Sequence, residues 1–250
     1  VSGLRRYTLG ALALAEPAAG RAPAPPGMAH LDYPDADVLM WAQTVVERRW
    51  RVKACAKEPW TAEYVAALGP DDLLFNVGAC VGSYALIAAS RGARVVAVEA
   101  SPVNAARLAQ NVAANGYGDL VTVVLAVCGP SEQAMGVGLG SGFAGAADVE
   151  IGGHGITLPG VTLDGLADVH GRPTALLIDV DGGELDVLRG GAEVLADLGS
   201  VLLEVSRDPR ISDGCMALLR AAGLPSIEQW SKRNGQTIEG VYYSQHRRAA

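Results

Sequence analysis

The sequence predicts an α/β fold built on a doubly wound, mostly parallel sheet that ends in an antiparallel hairpin. Three observations predict it. Short apolar runs recur at Leu73–Val77, 94–100, 121–127, 175–180 and 200–206, without the polar alternation of a half-exposed strand, as parallel strands buried on both faces require. Helical stretches or long connections stand between them, which parallel neighbours need for their crossovers. The last two runs, 227–230 and 237–243, are joined through Asn234-Gly235, a turn dipeptide of antiparallel hairpins. Together these describe a Rossmann-like sheet.

Residues 1–27 read as a leader and linker, expected to be poorly ordered. Arg5-Arg6 and the apolar run that follows have a signal-peptide-like profile too short to span a membrane, and 16–27 is rich in Pro, Ala and Gly. Residues 28–56 read as an N-terminal cap, with a small strand or helix-strand arrangement over 31–51. Within it, Arg48-Arg-Trp-Arg51 reads as a solvated strand face. The main domain is read as 57–250. Pro59 suits a first helical turn, and a short helix over 61–68 stops at Gly69-Pro70. After Leu73–Val77 and its glycine turn, an alanine-rich helix covers 82–90. Ser101-Pro102 is an N-cap followed by a first-turn proline, and the helix it opens puts Ala105, Leu108 and Val112 on one face and stops at Asn115-Gly116.

The stretch 131–160 breaks the rhythm with nine glycines and His154 where a crossover helix is expected. It reads as a loop or short strand pair lying over the carboxyl ends of the strands, where ligands of open α/β sheets bind. Beyond strand 175–180, Asp181-Gly-Gly-Glu184 leads into a short helix through Leu188. A helix over 212–222 follows strand 200–206.

Composition narrows the function. A formal net charge of -7 and an isoelectric point near 5.1 argue against a general nucleic-acid or anionic-membrane binder. Cys55, Cys80, Cys128 and Cys215 are scattered without C-x-x-C spacing, so neither a zinc site nor a disulfide framework is indicated, no metal is expected, and a cytoplasmic location is.

The turn Gly78-Ala-Cys-Val-Gly82 decides the ligand class. Glycine lets backbone approach a ligand closely, and the helix that follows aims its free N–H groups at the turn. A dinucleotide fingerprint needs Gly-x-Gly-x-x-Gly, and Cys80 stands at its middle glycine. This favours a smaller, uncharged linkage, as in S-adenosyl-L-methionine. Glu99, ending the second strand, is placed to bind the two ribose hydroxyls. A nucleotide-dependent oxidoreductase is the alternative that Cys80 disfavours.

Several blocks in order resemble the FkbM family of S-adenosylmethionine-dependent methyltransferases, over roughly 53–206. Lys57-Glu-Pro-Trp-Thr61 is similar to the block before that family's first strand. Asn76-Val-Gly-Ala-Cys-Val-Gly-Ser-Tyr84 resembles its Asp-x-Gly-Ala-Asn-x-Gly-x-Tyr turn. Val96-Ala-Val-Glu-Ala-Ser-Pro102, with Asn104, Leu108, Asn111 and Asn115, resembles its second strand and helix. Val161-Thr-Leu-Asp164 and Ile178-Asp-Val-Asp-Gly-Gly-Glu184 resemble its Thr-Leu-Asp and Ile-Asp-Val-Glu-Gly-x-Glu blocks. The resemblance implies a class I methyltransferase sheet and O-methylation of a hydroxyl on a small molecule, a sugar or a polyketide-like secondary metabolite. It implies cofactor contacts from Lys57, Glu58 and Thr61; from Asn76, Gly78, Ala79, Cys80, Gly82, Ser83 and Tyr84 around the turn; from Glu99, Ala100, Ser101 and Asn104; and from Ala126 and Asp179.

The departures are specific. Asn76 replaces the family's Asp, keeping a hydrogen-bond acceptor and losing its charge. Leu177 replaces the lysine before Ile-Asp-Val-Glu-Gly, and Asp181 shortens the glutamate. These changes motivate a second alternative, a cofactor-binding protein with weak or no catalysis. For catalysis, an acceptor hydroxyl needs a path for its proton. Asp179 and Asp181 at the end of the fourth strand are the leading candidates, His154 in the glycine-rich stretch is another, and Glu204 is a further acid on the same rim.

Overall fold

The computed structural model describes residues 21–205, 208–224, 228–234 and 237–245. Residues 1–20 of the expected leader, Ser206 of the fifth strand, and Ile227 and Gly235 of the expected hairpin lie outside the described residues. Among the described residues, no helix is long and apolar enough to cross a membrane.

The cap is a hairpin of β1 (Met28–His30) and β2 (Leu39–Trp41), followed by a π-helix, Glu47–Arg51. The sequence expectation of a solvated strand at 48–51 is therefore corrected: three arginines and a tryptophan lie on a wide helical turn held by Glu47, whose carboxylate caps Gln43 and Thr44 N–H at 2.9 and 2.8 Å. Next come α1 (Ala54–Lys57), α2 (Pro59–Ala66), β3 (Leu73–Val77), α3 (Ser83–Ser90), β4 (Arg94–Glu99), α4 (Pro102–Ala114) and β5 (Val121–Leu125). Every residue of β3 is buried. Leu74 and Asn76 face one layer, and Leu73, Phe75 and Val77 the other. Burying side chains such as Phe75 or Leu74 stabilises by roughly 1.5–3 kcal/mol each, which explains a run without polar alternation.

Helix α4 forms as its sequence dictates. The Ser101 hydroxyl accepts from Asn104 N–H, Pro102 occupies the first turn, and Gly116 at φ +70 ends it. Asn111 and the C-cap residue Asn115 tie the cap to this helix. Asn111 and Asn115 Oδ1 accept from Trp41 and Leu39 N–H, each at 2.8 Å, so the edge donors of β2 are satisfied by side chains. The cap's Leu31, Val38 and Met40 share one apolar cluster with Leu74, Leu86 and Leu177.

Past β5 the chain breaks at Ala126 into β6 (Val127–Cys128), so the single expected strand 121–127 is two. The stretch 131–160 carries β7 (Met135–Leu139), β8 (Val149–Ile151) and β9 (Ile156–Leu158), a three-stranded antiparallel sheet in the order β8-β7-β9, followed by β10 (Gly160–Val161), which pairs with β6. One strand more than the expected pair forms. Then follow α5 (Leu163–His170), β11 (Ala175–Ile178), α6 (Glu184–Arg189), α7 (Ala192–Asp197), β12 (Ser200–Val205), α8 (Pro209–Ala221), β13 (Glu228–Asn234) and β14 (Thr237–Gln245). Helices α5 and α7 were not expected. The first is capped by Thr162, whose hydroxyl accepts from Gly165 N–H at 2.9 Å, and buries only Leu163 and Leu166. Helix α8 starts at Pro209 behind an Asp208 cap, three residues before the expected start.

The main sheet runs β13-β14-β12-β11-β3-β4-β5. The five strands from β12 to β5 are parallel, and β14 and β13 close the edge antiparallel. The order reverses between β3 and β11, so the connections leaving their carboxyl ends run in opposite directions and open the crevice in which such folds bind ligands.

Candidate functional site

That crevice is a cleft of about 440 Å³, within the range of small-molecule sites. Its floor is the turn after β3. Gly78, at φ +82, packs against β11 so closely that a Cβ would overlap the Asp179 carbonyl oxygen. Gly78 and Ala79 N–H both donate to Val98 carbonyl at 3.0 Å, binding the turn back to β4. Cys80 adopts φ +49, a left-handed conformation that non-glycine residues take at a cost, and its N–H donates to Glu99 Oε2 at 2.7 Å. Glu99 Oε1 accepts from Ser101 N–H at 2.7 Å. Burial raises the Glu99 pKa, and the Ser101 and Cys80 N–H groups and the Asn104 amide oppose the rise. Each carboxylate oxygen so oriented retains a lone pair for a hydroxyl donor.

On the other side of the cleft three acids converge from separate segments. Carboxylate oxygens of Glu58, Asp179 and Glu204 lie within 4.8 Å of one another, a set that could hold a metal ion. No sequence spacing announces it, because the three come from the α1–α2 junction, the end of β11 and the end of β12. The cluster has its own cation: Lys57 Nζ is 2.5 Å from Glu58, whose other oxygen accepts from Tyr84 OH at 2.5 Å. Burial works to lower the Lys57 pKa, but Glu58 outweighs it and the net direction is up. Asp179 is pushed up to about 7, by burial first and then by Glu58 and Asp181, against Lys57 and Arg51. A carboxyl so poised can exchange a proton near neutral pH.

Of the residues expected at the site, Lys57, Gly78, Cys80, Glu99, Ala100, Asn104, Ala126, Asp179 and Asp181 line the cleft. Others stand behind it. Ser83 Oγ turns inward to Arg51 carbonyl at 2.9 Å, Tyr84 braces Glu58, and Gly82 is there because a Cβ would overlap Leu108. Glu58, Thr61, Asn76 and Ala79 are buried, and Ser101 contributes its cap and its backbone N–H. His154 is exposed between β8 and β9, outside the residues lining the cleft. Asn76 and Leu177 are register partners on β3 and β11, 2% and 1% exposed. Two of the sequence's three departures from the FkbM pattern are thus one feature, a neutral pair at the positions where the resemblance implies an acid and a lysine.

Sequence reasoning missed Trp50 and Arg51, which line the cleft from the π-helix; the stretch 131–160, expected over this edge, walls it with Ala146, Ala147, Val149 and Ile151. The arginine cluster at 48–51 was the available signal. Cys80 and Cys128 also line the cleft. Burial pushes both thiols up to about 12, so neither is a nucleophile at neutral pH.

A glycine turn after the first strand of a doubly wound sheet, an acid at the tip of the second and a poised carboxyl at the tip of the fourth define a class I methyltransferase-like protein. The FkbM methyltransferase domain matches residues 76–230, more than half of the chain, and the chain belongs to that family. No curated protein sequence matches it. Among solved structures, methyltransferase FkbM from Methylobacillus flagellatus KT is similar at 12% identity, over 80% of this chain and 56% of that one, with a TM-score of 0.51. This chain therefore spans little more than half the length of that relative. The METTL16 MTase domain is similar at 13% identity over 85% and 74% of the two chains, with a TM-score of 0.52. At these identities the likeness is one of fold.

Proposed function

We propose that the protein transfers a methyl group from S-adenosyl-L-methionine to a hydroxyl of a small molecule, a sugar or polyketide-like metabolite. The observation that carries this reading is the shared cleft: Glu99, oriented by two backbone N–H groups, stands at one end and Asp179, with its pKa near 7, at the other. The residues fit the donor. Glu99 suits a ribose diol, and Gly78 leaves backbone bare where a Cβ could not stand.

The donor, when bound, supplies an already electrophilic sulfonium methyl. The chain must then position the acceptor oxygen in line, exclude water and take one proton. Asp179 in its ionised form would accept the proton that the acceptor hydroxyl gives up. Burial first, then Glu58 and Asp181, oppose that ionised form, and Lys57 and Arg51 favour it, which sets the balance near neutrality. Val149, Ile151 and Trp50 give the acceptor side an apolar wall.

The test is transfer of labelled methyl from the donor to a panel of hydroxylated sugars and macrolide-like compounds. Turnover should fall as pH drops through about 7, because protonated Asp179 cannot accept a proton. Asp179→Asn should lower the rate by about 10²–10⁴ with little change in donor affinity. Full turnover in that variant removes Asp179 as the base.

A further inference from the structure

The segment between β7 and β8 contains Gly140, Gly142 and Gly145 and has no regular secondary structure, yet Ala146 and Ala147 from it line the cleft beside Glu99. Its only buried apolar side chain is Ala144, too small to anchor a loop by packing. What anchors it is a set of side chains from elsewhere that take its backbone groups in succession. Thr44 Oγ1 donates to Ala144 carbonyl at 2.9 Å, and Arg51 Nε donates to Gly145 carbonyl at 2.8 Å. Asn104 uses both ends of its amide: Oδ1 accepts from Gly145 N–H and Nδ2 donates to Ala146 carbonyl, each at 2.8 Å.

Asn104 is 2% exposed and sits in the first turn of α4, three residues before Arg107, whose Nε is 3.3 Å from Glu47 Oε1. Helix α4 thus holds both the strap and the π-helix that carries Arg51. Gly145 is confined by the same parts. Its φ is +87, and an added Cβ would stand 3.2 Å from Glu47 Cγ and 3.3 Å from Arg51 Cγ. Burial raises the Glu99 pKa, and the Asn104 amide is among the groups that oppose the rise, so the side chain that holds the strap also acts on that acid.

We propose that Asn104 is a positioning residue: by clasping Gly145 and Ala146 it sets the 144–147 strap as the roof of the nucleoside half of the cleft. This rests on the donor reading above. A side-chain amide suits the task, since one planar group both accepts from an N–H and donates to a carbonyl. Alanine at 104 removes both bonds. Asn104→Asp keeps the partner of Gly145 N–H but sets a carboxylate oxygen against the Ala146 carbonyl.

The experiment is calorimetric titration of wild type, Asn104→Ala and Asn104→Asp with S-adenosylmethionine and with 5′-methylthioadenosine, which keeps the nucleoside and lacks the amino-acid end. Backbone hydrogen exchange at 144–147 is followed in parallel. The expected result is a dissociation constant raised about tenfold or more for both ligands, by a similar factor, with faster exchange in the strap. A merely structural asparagine would lower the melting temperature and leave both affinities of the folded protein unchanged, which overturns the proposal while the donor reading stands. Should the Asn104 variants not fold, Gly145→Ala displaces the strap with Asn104 intact. Weakened binding of both ligands there supports the roof, and wild-type binding overturns it. Failure of wild type to bind either ligand removes the donor reading itself and the proposal with it.

Discussion

Asn76→Asp is the substitution that would restore the FkbM acid, and the structure predicts that alone it destabilises the protein. The side chain is 2% exposed in the middle of β3, between Ala97 on β4 and Leu177 on β11, with strands only about 4.8 Å apart. A carboxyl there loses its hydration. If burial raises its pKa by about 3 units, the cost at pH 7 is about 4 kcal/mol, against a typical total stability of roughly 5–15 kcal/mol. Burial favours the protonated form of the introduced carboxyl, so the penalty is absent below its unfolded pKa near 4 and grows as pH rises towards the folded value. Leu177→Lys alone should cost a similar amount through the mirror-image desolvation. Combined, the two charges are register neighbours, and the double variant should be more stable than the sum of the singles by about 3 kcal/mol or more. Urea denaturation of the four proteins at pH 7 and pH 4 measures all of this. A fully stable Asn76→Asp at pH 7, or an additive double variant, refutes the coupled neutral pair.

Other expectations follow from the same geometry. Glu99→Ala removes an acceptor for ribose hydroxyls and the anchor of Cys80 N–H, so affinity for S-adenosylmethionine should fall by about 2–4 kcal/mol, read by calorimetry; an unchanged constant would remove that role. Gly78→Ala forces a Cβ into the Asp179 carbonyl oxygen and demands φ +82 of an alanine, so loss of soluble, cooperatively unfolding protein is expected in thermal melts. His154→Ala, altering an exposed side chain outside the cleft lining, should change donor affinity by less than about twofold; a larger loss would bring the β8–β9 turn into the site.

Much of the fold could be read from the sequence because β3, β4 and β11 are buried on both faces, and apolar runs record that directly. Gly78 and Glu99 were legible for a related reason: a tight turn and a strand-end acid leave residue-type signatures. Arg51 and Trp50 were not, because a five-residue π-helix has no periodicity that separates it from a strand. Ser83 and Tyr84 were assigned to the ligand from their place in the motif. In three dimensions they point into the packing between α3, the cap and α1–α2, a direction that spacing along the chain does not encode. The acid cluster was half visible: Asp179 and Glu204 lie at strand ends facing the crevice, but Glu58 joins them only because α2 packs on α3. The pairing of Asn76 with Leu177 needed the β3–β11 register, which joins positions 101 residues apart in the same sheet.

The central claim is that this cleft takes an adenosyl sulfonium donor and not a dinucleotide. Calorimetric titration with S-adenosyl-L-methionine and NAD side by side tests it directly. The account predicts saturable binding of the first at one site per chain, lost in Glu99→Ala, and no heat of binding from the second; binding of NAD in preference to S-adenosylmethionine would contradict it.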